Sequence, residues 1–115
     1  MVKFKKIWGY YEILVESPGY KVKRLTIKPG KGISLQTHAK RSETWTVVKG
    51  MGFQDNGEIE GALRVEDTMY VRKGEKHRIR NKGRKDLVII EVQVGPYLGE
   101  DDIKRYDQEL KPQTI

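Results

Sequence analysis

Short runs of alternating apolar and polar residues, each ended by a turn rich in glycine, proline or asparagine, recur along most of the chain. This period of two is typical of β-strands, because successive side chains of a strand point to opposite faces. Turn signals occur at residues 17–19, 29–32, 54–57, 72–74 and 81–83. No apolar stripe with helical spacing is long enough for a bundle. The pattern predicts an all-β fold, a jelly roll or open barrel.

The longest predicted strand covers residues 86–94, and its two faces differ in character. One face carries only β-branched apolar side chains, at positions 88, 90, 92 and 94. The other face carries Leu87, Ile89, Glu91 and Gln93, so it is half apolar and half polar. Such a face is typical of a strand that lines a cavity.

An irregularity is predicted in the strand at residues 20–28. Its apolar phase slips between Val22 and Leu25. We therefore expect a β-bulge near Lys23 and Arg24.

One short helix is predicted near the C-terminus, at residues 99–106. Acidic residues occupy its first turn and basic residues its last, an order that complements the helix dipole. A single domain is expected over residues 1–110, since a chain of this length forms one core. Residues 111–115 are expected to form a loose tail.

Composition limits the partners of the chain. It has 23 basic and 16 acidic residues, a formal net charge of +7, which favours an anionic partner. The basic residues are spread out and are not interleaved with aromatic ones, so a small phosphorylated ligand is favoured over nucleic acid. There is no cysteine, no apolar run of membrane-spanning length and no signal-peptide pattern. We expect a cytoplasmic protein without a membrane partner.

The two histidines both lie at predicted strand starts, each beside a turn that contains glycine. Gln36, His38 and Lys40 alternate along one strand, so their side chains share a face, and Glu43 follows after a polar corner. An imidazole, a carboxylate and an amide oxygen in one neighbourhood indicate the start of a metal site. One strand cannot close such a site, and His77 is the second imidazole available.

Two segments carry a resemblance to known proteins. Residues 32–50 contain the pattern Gly-x5-His-x-Lys-x2-Glu-x6-Gly, which resembles the first cupin motif, and residues 74–81 resemble the core of the second. More closely, the chain resembles the cupin domain of mannose-6-phosphate isomerases that are often fused to a mannose-1-phosphate guanylyltransferase. The further matching pieces are residues 8–12, 20–30, 34–36, 41–45 and 91–103.

The resemblance implies a cupin, that is, a double-stranded β-helix or jelly-roll barrel. It also implies an enzyme that interconverts mannose 6-phosphate and fructose 6-phosphate by proton transfer through a cis-enediol. Lys40 stands where the family has a second histidine in the first motif. The ligand set implied by other phosphomannose isomerases is then Gln36, His38, Glu43 and His77, holding a divalent ion, zinc first.

Basic residues close in sequence to these motifs are the candidates for proton transfer and for phosphate binding. Lys40 and Arg105 are the catalytic candidates, and Arg41, Arg78 and Arg80 are candidates for binding the sugar phosphate. Arg78 and Arg80 alternate away from His77, so a solvent-facing position is an equal alternative. Guanylyltransferase activity is not expected, since few residues precede the cupin segment. A homodimer is expected, with strand exchange by residues 2–7.

Two other functions remain open. A cupin that binds a sugar phosphate or sugar nucleotide without turnover, in a regulatory role, would fit the lysine in place of histidine. A metal cupin that performs oxygen chemistry would need redox iron and three histidines, and the chain has two.

Overall fold

The computed structural model describes residues 1–106, and this part of the chain consists of strands, turns and loops without a helix. Short alternating runs form strands because one face of each can be buried while the other meets water. The strands are β1 (Phe4–Lys6), β2 (Gly9–Ser17), β3 (Tyr20–Ile27), β4 (Gly32–Thr37), β5 (Ser42–Lys49), β6 (Gly52–Asp55), β7 (Glu60–Leu63), β8 (Thr68–Val71), β9 (His77–Arg80), β10 (Leu87–Val94) and β11 (Lys104–Arg105).

The strands form two antiparallel sheets. One has six strands in the order β1-β2-β3-β10-β5-β8, and the other has five in the order β11-β4-β9-β6-β7. Buried apolar side chains from both sheets form one core, as expected for sheets packed face to face. The all-β prediction is confirmed. The predicted cavity-lining face is confirmed for its polar half, because Glu91 and Gln93 line a cavity, whereas Leu87 and Ile89 pack in the apolar core.

The helix predicted at residues 99–106 is wrong. Residues 99–102 form a turn, in which the Asp102 N–H donates to the Gly99 carbonyl, and β11 follows, pairing with Gln36 and Thr37 of β4. The charge order at this segment is compatible with a helix, but the edge of β4 offers backbone hydrogen bonds, and tertiary pairing overrides a weak local preference. The expected tail at residues 111–115, and the domain end at 110, lie outside the described residues.

The predicted bulge in β3 is also misplaced. The register shift lies on the partner strand β2, between Ile13 and Val15. The inward phase of β3 continues unbroken through Lys21, Lys23 and Leu25, so two lysines face the interior. The slip in the apolar pattern therefore arises because polar residues point inward, while the alternation of inward and outward side chains is unchanged.

The N-terminal segment pairs within its own chain, because β1 lies antiparallel to β2. The homodimer by strand exchange stays a prediction, which solution scattering would check. No helix of the described part is long and apolar enough to cross a membrane.

Candidate metal centre

The interior face of the six-stranded sheet is built from rows of paired residues. Cross-strand partners in an antiparallel sheet point to the same side. One row joins Glu43, Gln93 and Lys21, and the next joins Trp45, Glu91 and Lys23. Beyond them the interior is apolar, with a row of Val47, Ile89 and Leu25. The sheet thus presents a polar end and an apolar end to the same interior.

Three buried residues meet at the polar end. The ligand atoms of His38, Glu43 and His77 all lie within 4.8 Å of one another. His38 Nε2 is 3.4 Å from Glu43 Oε2, and His77 Nε2 is 3.5 Å from Glu43 Oε1. Residues 39 positions apart in the sequence, His38 and His77, are therefore brought to one carboxylate by the packing of the two sheets.

Backbone carbonyls orient both imidazole rings. His38 Nδ1 lies 2.6 Å from the Asp102 carbonyl, and His77 Nδ1 lies 3.1 Å from the Glu75 carbonyl. A carbonyl only accepts, so each Nδ1 carries the proton and each Nε2 presents a lone pair. This arrangement, with the second ring nitrogen held by a carbonyl, is typical of metal-ligating histidines.

The charges of the cluster follow from burial. Burial lowers the pKa of His38 and of His77 more than the neighbouring Glu43 carboxylate raises it, so both rings are neutral at neutral pH. Burial alone would raise the pKa of Glu43, but a hydrogen bond from Glu91 and the charge of Arg41 outweigh it and hold the pKa well below its usual range. Burial, and then the charge of Glu43, raise the pKa of Glu91 well above its usual range.

The cluster fits a divalent cation. His77 Nε2 is buried and has no hydrogen-bond partner among the described residues, which is costly for a buried polar atom. Two neutral imidazoles and an ionised carboxylate are donors that suit zinc and similar ions. His38, Glu43 and His77 could therefore hold the metal, with open positions left for oxygen ligands.

Gln36 lies beside the cluster. It is buried and is the direct cross-strand partner of His77, so both side chains point to the same side. Its Nε2 donates to the Ser34 carbonyl at 3.0 Å. That bond turns the amide nitrogen toward its own strand and leaves the Oε1 atom as the group that could act as a fourth ligand.

Arg41, predicted to bind the phosphate of the substrate, instead contacts the cluster itself. Its Nε donates to Glu43 Oε2 at 2.7 Å, and its Nη2 lies 3.4 Å from His38 Nε2. The guanidinium is therefore hydrogen-bonded to an oxygen of Glu43 and to the free ring nitrogen of His38, both of which are candidate metal ligands. Because a cation and a guanidinium cannot share these atoms, we expect Arg41 to shift when a metal binds.

Three of the other predicted cations line one large cavity of about 1130 Å³: Arg78, Arg80 and Arg105. His38, Arg41 and Glu43 line the same cavity. Arg78 pairs with Asp55 through its Nε and Nη2 atoms. The Arg80 side chain lines the cavity and has no hydrogen bond or ion pair to any described residue. Arg105 lines the cavity from β11.

Lys40 is not brought to the cluster. Its side chain is exposed, and its ammonium lies 5.1 Å from the centroid of the Tyr97 ring. The Asp102 carboxylate accepts hydrogen bonds from the Ala39 and Lys40 amides, which directs this corner away from the cavity. Sequence spacing placed Lys40 on the face of His38, but β4 ends at Thr37, so the alternation stops before Lys40.

Several polar residues of the cavity wall were missed by the sequence reasoning as site residues. They are Lys23, Glu91, Gln93 and Glu100. The polar half of the 87–93 face was a usable signal for two of them. Lys23 and Glu100 could be recognised only from the tertiary structure. The alternation around Lys23 is typical of a solvent-facing lysine. Glu100 comes from the 99–102 turn, and its Oε2 accepts a hydrogen bond from Lys23 Nζ at 2.8 Å.

Two facing antiparallel sheets, with two imidazoles and a carboxylate gathered between them, define a cupin, or double-stranded β-helix. A conserved protein with a double-stranded β-helix domain from Klebsiella pneumoniae subsp. pneumoniae superposes with a TM-score of 0.72 at 21% identity, covering 81% of this chain and 79% of that one. At this identity the likeness shows the fold alone.

Sequence comparison identifies the family. The family of mannose-6-phosphate isomerase C-terminal domains matches residues 2–108, and this chain belongs to it. The xanthan biosynthesis protein XanB of Xanthomonas campestris pv. campestris is 42% identical over 105 residues, which is 91% of this chain and 22% of XanB. A mannose-1-phosphate guanylyltransferase of Salmonella montevideo is 43% identical over 100 residues, 86% of this chain and 21% of that enzyme. The chain thus spans about a fifth of these relatives.

Proposed function

We propose that this cupin is a metal-dependent sugar-phosphate isomerase that interconverts mannose 6-phosphate and fructose 6-phosphate. The observation that carries the proposal is the buried cluster of His38, Glu43 and His77, in which His77 Nε2 has no partner among the described residues. Two members of the cluster, His38 and Glu43, line a cavity rich in cations. Membership in the mannose-6-phosphate isomerase C-terminal family supports the same reaction. Zinc is the metal that the donor set favours.

The reaction moves one proton between carbons C1 and C2 of the open-chain sugar and one between their oxygens, through a cis-enediol. Negative charge grows on the carbonyl oxygen during the first transfer, and a bound divalent ion supplies the Lewis acid that stabilises it. The chain contributes orientation: His38 and His77 are fixed by carbonyls, and Glu43 is fixed by the indole N–H of Trp45 at 2.9 Å. Fixed donors lower the reorganisation needed at the moment of reaction.

The phosphate needs cations that are not already paired. Arg41 and Arg78 are each paired with a carboxylate, whereas Arg80 has no such partner among residues 1–106 and lines the cavity. We therefore assign the phosphate to the part of the wall with Arg80 and the neighbouring Lys31. Arg105, at the cavity wall, remains a catalytic candidate. Lys40 would have to leave its exposed corner to act as the base.

The decisive test is coupled turnover of mannose 6-phosphate by zinc-loaded protein, with metal content measured on the same sample. We expect turnover in the wild type and its loss, by about a thousandfold or more, in His77→Ala, because a ligand of the ion is removed. Lys76→Ala is the matched control, since Lys76 is the exposed neighbour whose ammonium lies over the Tyr106 ring. Full turnover in folded His77→Ala would refute the proposal.

A second pair of variants tests the two catalytic candidates. Arg105→Ala should lower kcat/KM, since Arg105 lies on the cavity wall, whereas Lys40→Ala should leave it unchanged, since Lys40 is exposed outside it. The opposite ranking would show that the Ala39–Lys40 corner moves into the cavity during turnover.

A sugar-phosphate-binding cupin without turnover is the second candidate. The Arg41 guanidinium, seated on two of the ligand atoms, favours it, because a chain that keeps this contact has no need of a metal. Isothermal titration with mannose 6-phosphate separates the two. Binding by metal-free protein without turnover in any metal-loaded sample would select the second candidate.

A further inference from the structure

Lys23 is a buried cation at the cavity wall whose hydrogen-bonding capacity is mostly unused. The residue is 3% exposed and lines the cavity. Its ammonium has three donors, and within the described part of the chain one of them is used, on Glu100 Oε2 at 2.8 Å. The face of the Tyr11 ring lies 4.4 Å from the same nitrogen. Two N–H groups are therefore left to meet something inside the cavity.

Gln93 supplies the complementary group. It is 1% exposed and lines the same cavity, and its Oε1 is a buried acceptor with no partner among the described residues. The amide orientation is set by Nε2, which donates to Glu91 Oε1 at 3.1 Å. The unused acceptor and the unused donors thus lie on adjacent rows of one sheet: Lys23 is the cross-strand partner of Glu91, and Gln93 lies two residues beyond Glu91 on the same strand.

A purely structural role does not account for this pair. Buried polar groups are normally satisfied, and each one left unpaired lowers stability. Lys21 shows how the same strand satisfies a buried lysine: it lies two residues earlier on the same face, and its ammonium donates to the Leu98 carbonyl and pairs with Glu16. Lys21 does not line the cavity, and Lys23 does.

We propose that Lys23 and Gln93 bind the hydroxyl groups of the sugar, with Lys23 donating to hydroxyl oxygens and Gln93 Oε1 accepting from a hydroxyl. This inference rests on the proposed function and names which residues recognise the body of that substrate. A hydroxyl both donates and accepts, so neighbouring hydroxyls match an array of unused donors and an unused acceptor. A ligand with acceptors alone would leave Gln93 Oε1 unpaired.

The position of the pair is consistent with a sugar that also reaches the metal cluster. Gln93 is the cross-strand partner of Glu43, and Lys23 lies two strands from Trp45 in the adjacent row. Two strand spacings are about 10 Å. A sugar between Lys23 and the imidazoles would therefore contact both the hydroxyl-binding residues and the cluster.

The local charge disfavours the phosphate at this position. The Lys23 ammonium is already neutralised by Glu100, and the ionised carboxylate of Glu43 lies in the adjacent row of the same sheet. A phosphate dianion placed here would face these groups, whereas Arg80 offers an unpaired guanidinium elsewhere on the wall. Neutral hydroxyls suffer no such repulsion.

The experiment measures the affinity of the zinc-loaded full chain for mannose 6-phosphate and, separately, for inorganic phosphate, by isothermal titration. We expect Lys23→Met and Gln93→Met each to weaken binding of mannose 6-phosphate by about tenfold to a hundredfold, the range of a lost hydrogen bond to a buried group. Binding of inorganic phosphate should change by less than about threefold. Lys21→Met is the matched control and should change neither affinity.

Folding of each variant is checked by thermal unfolding. Lys23→Met should fold, because the Glu100 side chain is 51% exposed and can turn to water when its partner is removed. Should Lys23→Met not fold, Gln93→Met decides the test alone, since it removes the acceptor without removing a charge.

The outcomes separate this inference from the proposed function. Wild-type binding without turnover, together with weakened binding in the two variants, would overturn the isomerase proposal and support hydroxyl recognition. Wild-type turnover with unchanged sugar-phosphate affinity in both variants would overturn hydroxyl recognition alone. Equal weakening for inorganic phosphate would show that Lys23 is a phosphate site and would also overturn it. Absence of both binding and turnover in the wild type would overturn both.

Discussion

The two ends of the interior share strands of both sheets, but one end buries apolar side chains and the other buries charged and polar ones. At the apolar end, Ile27, Ile79, Leu87 and Ile89 are fully buried against one another, as in an ordinary β-sandwich core. At the polar end the same strands bury charged and polar residues, including Glu43, Glu91, Lys23, His38 and His77. The first arrangement stabilises the fold and the second costs stability unless every group finds a partner.

The difference shows where function is located in this chain. Most polar groups of the polar end are paired with one another, and the exceptions are few: His77 Nε2 and Gln93 Oε1 in the described part of the chain. Both exceptions lie where a ligand would complete them. Buried polar atoms without a partner therefore mark the candidate site in this fold.

The largest expected effect is at the centre of the polar end. Glu43→Gln removes the carboxylate that pairs with the buried Arg41, and loss of one partner of a buried pair should lower the free energy of unfolding by about 3–5 kcal/mol. Denaturant unfolding at neutral pH measures it. Glu91→Gln is the matched control and should lower stability much less, because burial and the charge of Glu43 raise the pKa of Glu91 and so favour its neutral form. Equal losses in the two variants would contradict the assignment of charge.

The apolar end should respond through packing alone. Ile89→Ala leaves a cavity beside Leu25 and Val47 and should cost about 3 kcal/mol. Thermal unfolding measures the loss, and metal titration of the folded variant should give wild-type affinity. A large drop in metal affinity would show that the two ends are coupled.

Lowering the pH should change the free energy of unfolding through two opposing contributions from the polar end. The pKa of each imidazole is lower in the folded state than its unfolded value of 6.5. The free energy of unfolding therefore falls as the pH falls below 6.5, because the unfolded chain takes up protons that the folded chain does not. The loss is up to about 1.4 kcal/mol per pH unit for each ring. The raised pKa of Glu91 acts the other way, since its stabilising proton is lost as pH rises.

Glu91→Gln removes the opposing contribution, so the variant should lose stability more steeply than the wild type between pH 6.5 and 5, by up to about 1.4 kcal/mol per pH unit. Denaturant unfolding of metal-free protein at several pH values gives both slopes. Identical slopes would mean that Glu91 is ionised in the folded chain.

The smallest effect concerns the corner outside the cavity. Asp102→Ala removes the acceptor of the Ala39 and Lys40 amides and should cost about 1 kcal/mol. Hydrogen exchange at these two amides should accelerate, while exchange in β10 stays slow. Asp101→Ala is the control, because Asp101 accepts from the Tyr97 hydroxyl and touches neither amide. Unchanged exchange would show that this corner is held by other contacts.

The sequence predicted the features that depend on local pattern. Alternation gave the strands, the 87–93 face gave a cavity wall, and the Asn-Gly pair at 56–57 falls in the turn between β6 and β7. The convergence of His38, Glu43 and His77 followed from the family resemblance and is what the sheets bring together.

What could not be predicted depends on distant partners. Inward lysines in β3 look like a solvent face until Glu100 and Tyr11 are placed beside Lys23. The 99–106 segment has a helical charge order, but the edge of β4 pairs with it instead. Lys40 would have pointed inward if β4 had continued, but β4 ends at Thr37. Alternation alone does not define where a strand ends.

The turn at residues 99–102 has a consequence for how the protein is made. It supplies the carbonyl that orients His38, the carbonyl that meets Arg41 and the carboxylate that holds Lys23, each about 60 or more residues away along the chain. During synthesis on the ribosome, Lys23, His38 and Arg41 are translated long before the 99–102 turn that holds them. His38, Arg41 and Lys23 therefore cannot be held in these positions on the nascent chain until the 99–102 turn has also been synthesised.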